Sequence, residues 1–228
     1  GQLGIGEDVR MTARALETAG VPFAIYNIRP GNEVDQGDAS MDSAVRSDLP
    51  YRINIFCMTA METARVVAEQ GSWLLADRYN IGYWPWELPD WPESWHHIFE
   101  FVDEVWAASA FTQAAYAAVS SKPVQHMPLA VSVDETAGMT REDFGFRFER
   151  FLFVLSFDVL SSPIRKNPMG LVRAFRKAFP KGDENVELVL KTMRARTRDD
   201  LGVALNTEMA ADGRVTVVMD TMDRAEVL

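Results

Sequence analysis

Phe151 to Phe179, FLFVLSFDVLSSPIRKNPMGLVRAFRKAF, is the stretch that decides how this chain reads. Its opening run, Phe151 to Phe157, has the length and the Phe, Leu and Val content of an apolar strand. A polar loop follows and ends in the pair Arg165-Lys166. Leu171, Val172, Phe175 and Phe179 then recur at helical spacing, which predicts a helix over 168–179. A strand that hands to a helix through a basic loop is suited to hold phosphate. Each loop cation can make charge-assisted hydrogen bonds worth roughly 1.5–3 kcal/mol net, and the helix adds its N-terminal dipole. Arg165 and Lys166 read equally well, on these residues alone, as solvated loop charges.

Around this stretch the composition is that of ordinary globular material: 228 residues, 47% hydrophobic and 25% charged, enough for one large or two small domains. No apolar run approaches the roughly 18 residues of a membrane-spanning helix, and no signal peptide opens the chain. The lone Cys57 has no internal disulfide partner, which points to a reducing cytoplasm. A net charge of −10 argues against general nucleic-acid binding, which needs a basic face. No cluster of carboxylates has the spacing of a metal site, and none is expected.

The first half alternates strands and helices. Gly4 and Gly6 precede a helix that turns Val9, Ala13, Leu16 and Ala19 inward and stops near Gly20. Small residues there let backbone N–H groups approach an anion, although Glu7 and Asp8 satisfy the helix dipole equally well with no ligand. Val21 to Ile28 reads as a strand, Arg29 to Pro50 as a mobile surface loop, Arg52 to Met58 as a strand and 60–70 as a helix. Five of the six tryptophans fall between Ser72 and Trp95, where Ser72 to Tyr83 supplies a broken strand and Pro85, Pro89 and Pro92 forbid regular structure after it. Tryptophans in a proline-stiffened loop at a strand's C-terminal end suit a ligand cleft, since sugars stack on aromatic faces; a loop pinned by its own tryptophans is the plainer alternative. His96 and His97 are adjacent on a helix from about Pro92, so they point apart and cannot pair on a metal. Glu104 to Ser109 is a strand, Ser109 an N-cap for a helix over 111–119, and Val124 to Val131 the last strand of this half, with His126 at its core or edge.

The polar, acidic segment Val133 to Glu149 marks a linker and divides the chain into domains 1–140 and 141–228. Beyond it the rhythm repeats: strand 151–157, helix 168–179, strand 186–193, helix 198–210, strand 215–220 and a helix starting at Asp223. Lys191, near a strand's C-terminal end, faces the rim of Lys166 and is a second phosphate-contact candidate. Arg194, Arg196 and Arg198 read as a solvated helix start.

Arg165-Lys166-Asn167-Pro168 followed by Leu171-Val172-Arg173-Ala174-Phe175 resembles the opening of the donor-binding domain in family 4 glycosyltransferases, and Gly82-Tyr83-Trp84-Pro85-Trp86-Glu87-Leu88-Pro89 resembles a segment found in a subset of them. The resemblance implies an α/β fold of GT-B type: two Rossmann-like domains, the second incomplete here. It implies transfer of a sugar from a sugar nucleotide to an acceptor hydroxyl with retention, in polysaccharide or glycolipid synthesis, with no metal or other cofactor required. Lys166 inherits the diphosphate contact. Leu155-Ser156 stands where many members carry Gly-Arg, so that second cationic phosphate contact is absent here unless Arg165 supplies it. Gly4 and Gly6 match the glycine-rich loop against donor phosphates and acceptor, Ser109 the cleft-lining element, and Trp86 with Glu87 the strand end where other members have a histidine near the transferred sugar. The implied partners are a sugar nucleotide and a glycan or glycolipid acceptor, and the implied place is the cytoplasm with peripheral association at the inner face of the membrane. The family's strand ahead of the glycine loop and its Glu-x7-Glu element are not found in these residues, so the chain alone is expected to be inactive. Two other readings stay open: a non-catalytic nucleotide-sugar-binding fragment, and another GT-B enzyme such as an epimerase or phosphorylase.

Overall fold

A computed structural model describes residues 4–28, 37–132, 138–159, 162–193, 199–219 and 222. The chain divides into two compact units, Gly1–Ser132 and Val133–Leu228, eight residues ahead of the boundary expected from composition.

The first unit is a four-stranded parallel sheet in the order β1-β2-β3-β4, formed by β1 (Ile53–Phe56), β2 (Tyr79–Tyr83), β3 (Glu104–Ala107) and β4 (Val124–His126). Its helices are α1 (Ile5–Thr18), α2 (Ala60–Gln70) and α3 (Ala110–Ala117). The connections carry the expected caps: Thr59 accepts from the Glu62 N–H at 3.1 Å, and Ser109 from the Thr112 N–H at 3.1 Å. The second unit is a three-stranded parallel sheet, β5 (Phe151–Asp158), β6 (Val186–Met193) and β7 (Val215–Val218), with helices α4 (Pro163–Lys166), α5 (Pro168–Ala178) and α6 (Asp199–Ala211). Both are α/β units of Rossmann-like character, strand leading to helix leading to parallel strand.

Several expectations are corrected. Val21 to Ile28 is no strand of the sheet; among the described residues it makes a single bridge, Ile25 to Val45. Its partner shows that part of the segment expected to be a mobile loop is tied down, as does Asp38, whose carboxylate lies 3.3 Å from the buried Arg10 guanidinium. Residues Ser72–Leu74 form a 3-10 turn and the strand begins only at Tyr79, because Asn80 and Asn54 bond the turn's carbonyls, those of Leu75 and Leu74. The segment carrying His96 and His97 is a nine-residue 3-10 helix, Glu93–Phe101, and both histidines lie away from the core. Helix α1 starts at Ile5, so Gly6 lies inside its first turn rather than in a loop before it. The helix expected from Asp223 and the run Arg194 to Arg198 lie outside the described residues.

The largest correction concerns the tryptophans. Trp84 and Trp91 belong to the core of the first unit, with Trp86 and Trp95 half-buried against them and Trp73 exposed, which is the loop pinned by its own tryptophans rather than an open cleft. Trp84 and Trp91 are 1% and 5% exposed, and their rings stack at 6.3 Å, with Phe99 and Tyr116 packed on both. Trp86 and Trp95 close over Trp91 at 4.7 and 5.6 Å. The Trp84 indole donates to Thr63 Oγ1 at 3.0 Å, and the Tyr116 hydroxyl donates to the Trp84 carbonyl at 3.1 Å. Gly82 is part of this arrangement: a Cβ there would meet the Trp84 ring at 2.5 Å. Only glycine lets that ring fold back over the strand.

The second core gathers Phe157, Val172, Phe175, Leu188, Leu190 and Leu205 between sheet and helices. Arg214 locks its N-terminal strand ends, donating to Asp212, Glu184 and the Phe179 carbonyl while its guanidinium lies 5.2 Å from the Phe175 ring centroid.

All six tryptophans lie at or before Trp106, so tryptophan fluorescence reports unfolding of the first unit alone. Gly82→Ala is expected to destabilise that unit by about 1–3 kcal/mol through overpacking against Trp84. Urea unfolding followed by fluorescence measures it, and an unchanged midpoint contradicts the close approach.

Candidate functional site

Parallel pairing brings all the strand C-termini of each sheet to one rim, where open α/β sheets hold ligands. In the first unit this rim carries Cys57 after β1, the end of β2 at Tyr83, Ser109 after β3 and Met127 after β4. The middle of α1 reaches it, where the Cys57 thiol donates to Thr12 Oγ1 at 3.7 Å, and across the rim the Tyr83 hydroxyl donates to the Met127 carbonyl at 2.9 Å. Burial pushes the Cys57 thiol up to about 11, offset in part by its bond to Thr12 and reinforced by Asp8. Burial likewise raises Tyr83 to about 12, helped by Cys57 and Asp8. Asp8 is raised above the usual carboxylate range by its own burial and by Glu7. At neutral pH the thiol and the phenol are therefore uncharged hydrogen-bonding groups, unfit to act as bases or nucleophiles. Asp8, Thr12, Cys57 and Tyr83 were not marked by the sequence. The signal that was present is positional, a cysteine and a tyrosine at the ends of successive strand runs.

The residues singled out beforehand fall as follows in this unit. Gly4 caps α1 with φ 60°, a conformation that favours glycine. Gly6, in the first turn, lines a cavity beside β1. Glu7 pairs with Arg10 at 2.8 Å, so the first turn of α1 carries its own ionic partner. Ser109 spends its hydroxyl on the α3 cap and on Thr112 Oγ1 at 3.0 Å. Trp86 is half-buried within the aromatic cluster, its carbonyl accepting from Thr112 Oγ1 at 3.4 Å, and its indole N–H is buried with no protein partner in the described structure. Glu87, next in sequence, is exposed.

In the second unit β5 ends at Asp158, and the chain passes through α4 into α5. The expected loop ending in Arg165-Lys166 is thus a one-turn helix with both cations in its last turn. Arg165 is exposed and Lys166 half-buried. Asn167 turns the chain with φ 50° and caps α5, its side chain accepting from the Gly170 N–H at 3.1 Å. A Cβ at Gly170 would meet that side chain at 2.3 Å, so glycine is what the cap requires. Pro168 has no N–H, Gly170 bonds the Asn167 side chain and the Leu171 N–H bonds the Asn167 carbonyl at 3.2 Å. Of the first four helix donors only Met169 is left to offer an anion from the first turn, although the dipole persists. The Asn-Pro pair was a legible cap signal that the basic residues beside it overshadowed. Lys191 sits inside β6, in register with Ser156 of β5 and Val218 of β7, and is 7% exposed with Nζ 3.5 Å from the Thr192 carbonyl. Among the described residues no group of three or more His, Cys, Asp or Glu is placed to hold a metal ion, and no helix is long and apolar enough to cross a membrane.

No family model matches the chain, and no curated protein matches its sequence. Solved structures match it by fold. The apo structure of OtsA aligns with a TM-score of 0.53 and 8% identity over 72% of this chain and 46% of its own. The N-terminal domain of Candida albicans trehalose-6-phosphate phosphatase aligns with a TM-score of 0.53 and 11% identity over 98% of this chain and 65% of its own. The chain therefore spans about half to two thirds of the structures it matches. At such identities the likeness is one of fold, an α/β chain of parallel-sheet Rossmann-like units, and it carries no membership of family 4.

The raised thiol gives a pH-dependent test. With the folded thiol at about 11 against an ordinary 9.0, the thiolate fraction at pH 9 falls about 50-fold, so iodoacetamide is expected to alkylate native Cys57 at least that much more slowly than the urea-unfolded chain. Because the folded state holds this proton more tightly, the stability it contributes is present below pH 9 and is lost as pH rises toward 11. Equal alkylation rates in the two states contradict a buried, protonated Cys57.

Proposed function

We propose that this chain is the nucleotide-sugar-handling part of a glycosyltransferase, one that moves a sugar from a sugar nucleotide to an acceptor hydroxyl with retained configuration in polysaccharide or glycolipid synthesis. In this reading the two units are the two Rossmann-like halves of a GT-B enzyme working in the cytoplasm, at the inner face of a membrane where its glycolipid acceptor lies. Lys166, with Arg165 beside it, neutralises the charge that develops on the leaving diphosphate. Lys191 adds positive charge beneath the same rim, and the Met169 N–H is a backbone donor toward it. Gly4 and Gly6 let the first unit approach donor and acceptor closely, Ser109 borders the acceptor side, and the exposed Glu87, held in place by the half-buried Trp86, stands at the reaction centre. No metal is needed where cations of the chain carry the charge.

One observation carries this reading. The stretch Arg165-Lys166-Asn167-Pro168 lies between the end of a parallel strand and the start of a capped helix, the setting that its resemblance to the transferase motif requires. The fold likeness to OtsA is in keeping with it. A second reading, a sugar-phosphate or nucleotide-sugar binding domain with no chemistry of its own, is favoured by the other comparison, which covers 98% of the chain and is the N-terminal domain of a protein named for phosphatase activity.

Titration calorimetry with a panel of UDP-, GDP- and ADP-sugars, followed by an assay for a new glycoside with the full-length gene product, separates the two. Binding with turnover supports the transferase, binding without turnover the binding domain, and no binding by any donor rejects both. Lys166→Ala is expected to weaken donor binding by about 1.5–3 kcal/mol, roughly 10- to 150-fold in Kd. Unchanged affinity removes Lys166 from the diphosphate site.

A further inference from the structure

The two units differ sharply in charge. Residues 1–132 hold 17 Asp and Glu against 8 Lys and Arg, a net of −9, whereas residues 133–228 hold 16 against 15, a net of −1. Nearly all of the chain's −10 therefore sits on the first unit. Such a field turns anionic partners away and draws cationic ones, over the roughly 10 Å that salt leaves unscreened.

At the C-terminal rim of the first sheet one carboxylate stands apart from the rest. Glu7 pairs with Arg10, whose guanidinium also lies 3.3 Å from Asp38. Glu62 pairs with Arg65 at 2.7 Å. Asp8 has no counterpart of this kind. Its side chain is half-buried, yet its carboxylate makes no hydrogen bond or ion pair with the described residues, and the neighbouring charge that acts on it, Glu7, is negative.

The place of Asp8 is well defined. One turn further along α1, the Thr12 hydroxyl donates to the Asp8 carbonyl at 2.8 Å and accepts from the Cys57 thiol. Met11 accepts from the Ser132 N–H at 3.3 Å. The Asp8 charge is felt at Cys57 and at Tyr83, so it stands over the ends of β1 and β2 and outside the lining of the cavity that Gly6 borders. The donors around it are spent elsewhere: Thr12 on a carbonyl, Cys57 on Thr12 and Tyr83 on the Met127 carbonyl. A half-buried carboxylate left without a donor lowers stability, and the group that satisfies it has to come from a ligand.

We propose that Asp8 selects the acceptor of the transferase reading above, on which this inference rests, by pairing with an ammonium group, so that the acceptor is an amino sugar. A hydroxyl can donate to the same oxygen, but only a cation also answers the negative charge that Glu7 and the surrounding unit place there. A phosphate or carboxylate on the acceptor meets like charge and is rejected. The two substrates are thereby sorted by sign, the anionic diphosphate going to the cations of the second unit and the cationic sugar to the first.

The experiment follows the amide chemical shifts of the chain during titration with glucosamine, glucose and glucose 6-phosphate, three sugars of positive, neutral and negative charge. Glucosamine is expected to move the amides of Asp8, Thr12, Cys57 and Tyr83 saturably and to bind about tenfold more tightly than glucose, with the gap narrowing as salt is added. Glucose 6-phosphate is expected to leave these amides in place. Asp8→Asn, which keeps the shape and removes the charge, is expected to erase the preference while tryptophan fluorescence shows the first unit still folded. Equal binding of glucosamine and glucose, no saturable shift with glucosamine, or a preference that survives in Asp8→Asn overturns the proposal. Calorimetry with sugar nucleotides keeps the two readings apart. If a sugar nucleotide binds and the preference is absent, this proposal falls alone; if none binds and the preference holds, the transferase reading falls and an amine-binding site at Asp8 remains.

Discussion

Each strand of the two sheets pairs in parallel with its neighbour, so the chain has to cross the sheet face after every strand, and within each sheet the C-terminal ends collect at one rim. That constraint orders the rest. It demands apolar cover on the sheet faces, which the aromatic cluster around Trp84 and Trp91 supplies in the first unit and Phe157, Phe175 and Leu190 supply in the second. It also decides which residues can act together. Cys57 and Tyr83 share a rim because their strands are neighbours in register, not because they are close in sequence.

The same constraint shapes the outer side of β1. A parallel strand has hydrogen-bonding groups on both edges, and an apolar helix laid over a sheet needs a strand beneath it. Among the described residues β1 pairs with β2 alone, and a cavity lined by α1, the segment 21–28 and β1 lies along its other edge. In the second unit β5, flanked by β6 alone, carries Phe151 and Val154 at 64% and 65% exposure, so its outer edge and faces are likewise little covered by the described residues.

Much of this was legible beforehand, and the parts that were not share a physical cause. The second unit follows local signals: the Phe151 run, the Leu171, Val172 and Phe175 spacing and the Val186 run each predict an element within a few residues of where it lies. Strand propensity at Val21 to Ile28 was real, yet a strand exists only when something pairs with it, and a lone bridge at Ile25 is what the neighbours allow. The tryptophan loop failed for a related reason. Prolines correctly forbade regular strands there, but whether an irregular aromatic segment faces solvent or core depends on Thr63, Phe99 and Tyr116, which come from elsewhere in the chain. At the candidate site, residue type pointed to Arg165 and Lys166, whereas the cap made by Asn167 and Gly170, which sets where those cations stand, is a matter of backbone geometry.

In the proposed transferase the rim of the second unit, from Lys166 to the start of α5, receives the diphosphate of a sugar nucleotide. Amide chemical-shift mapping during titration with the donor that binds tests it most directly. Shifts concentrated at Lys166, Asn167 and Met169 and at the C-terminal ends of β5 and β6 are the expected result. Saturable binding that moves only amides of the first unit, or only the opposite ends of β5 and β6 near Arg214, would contradict it.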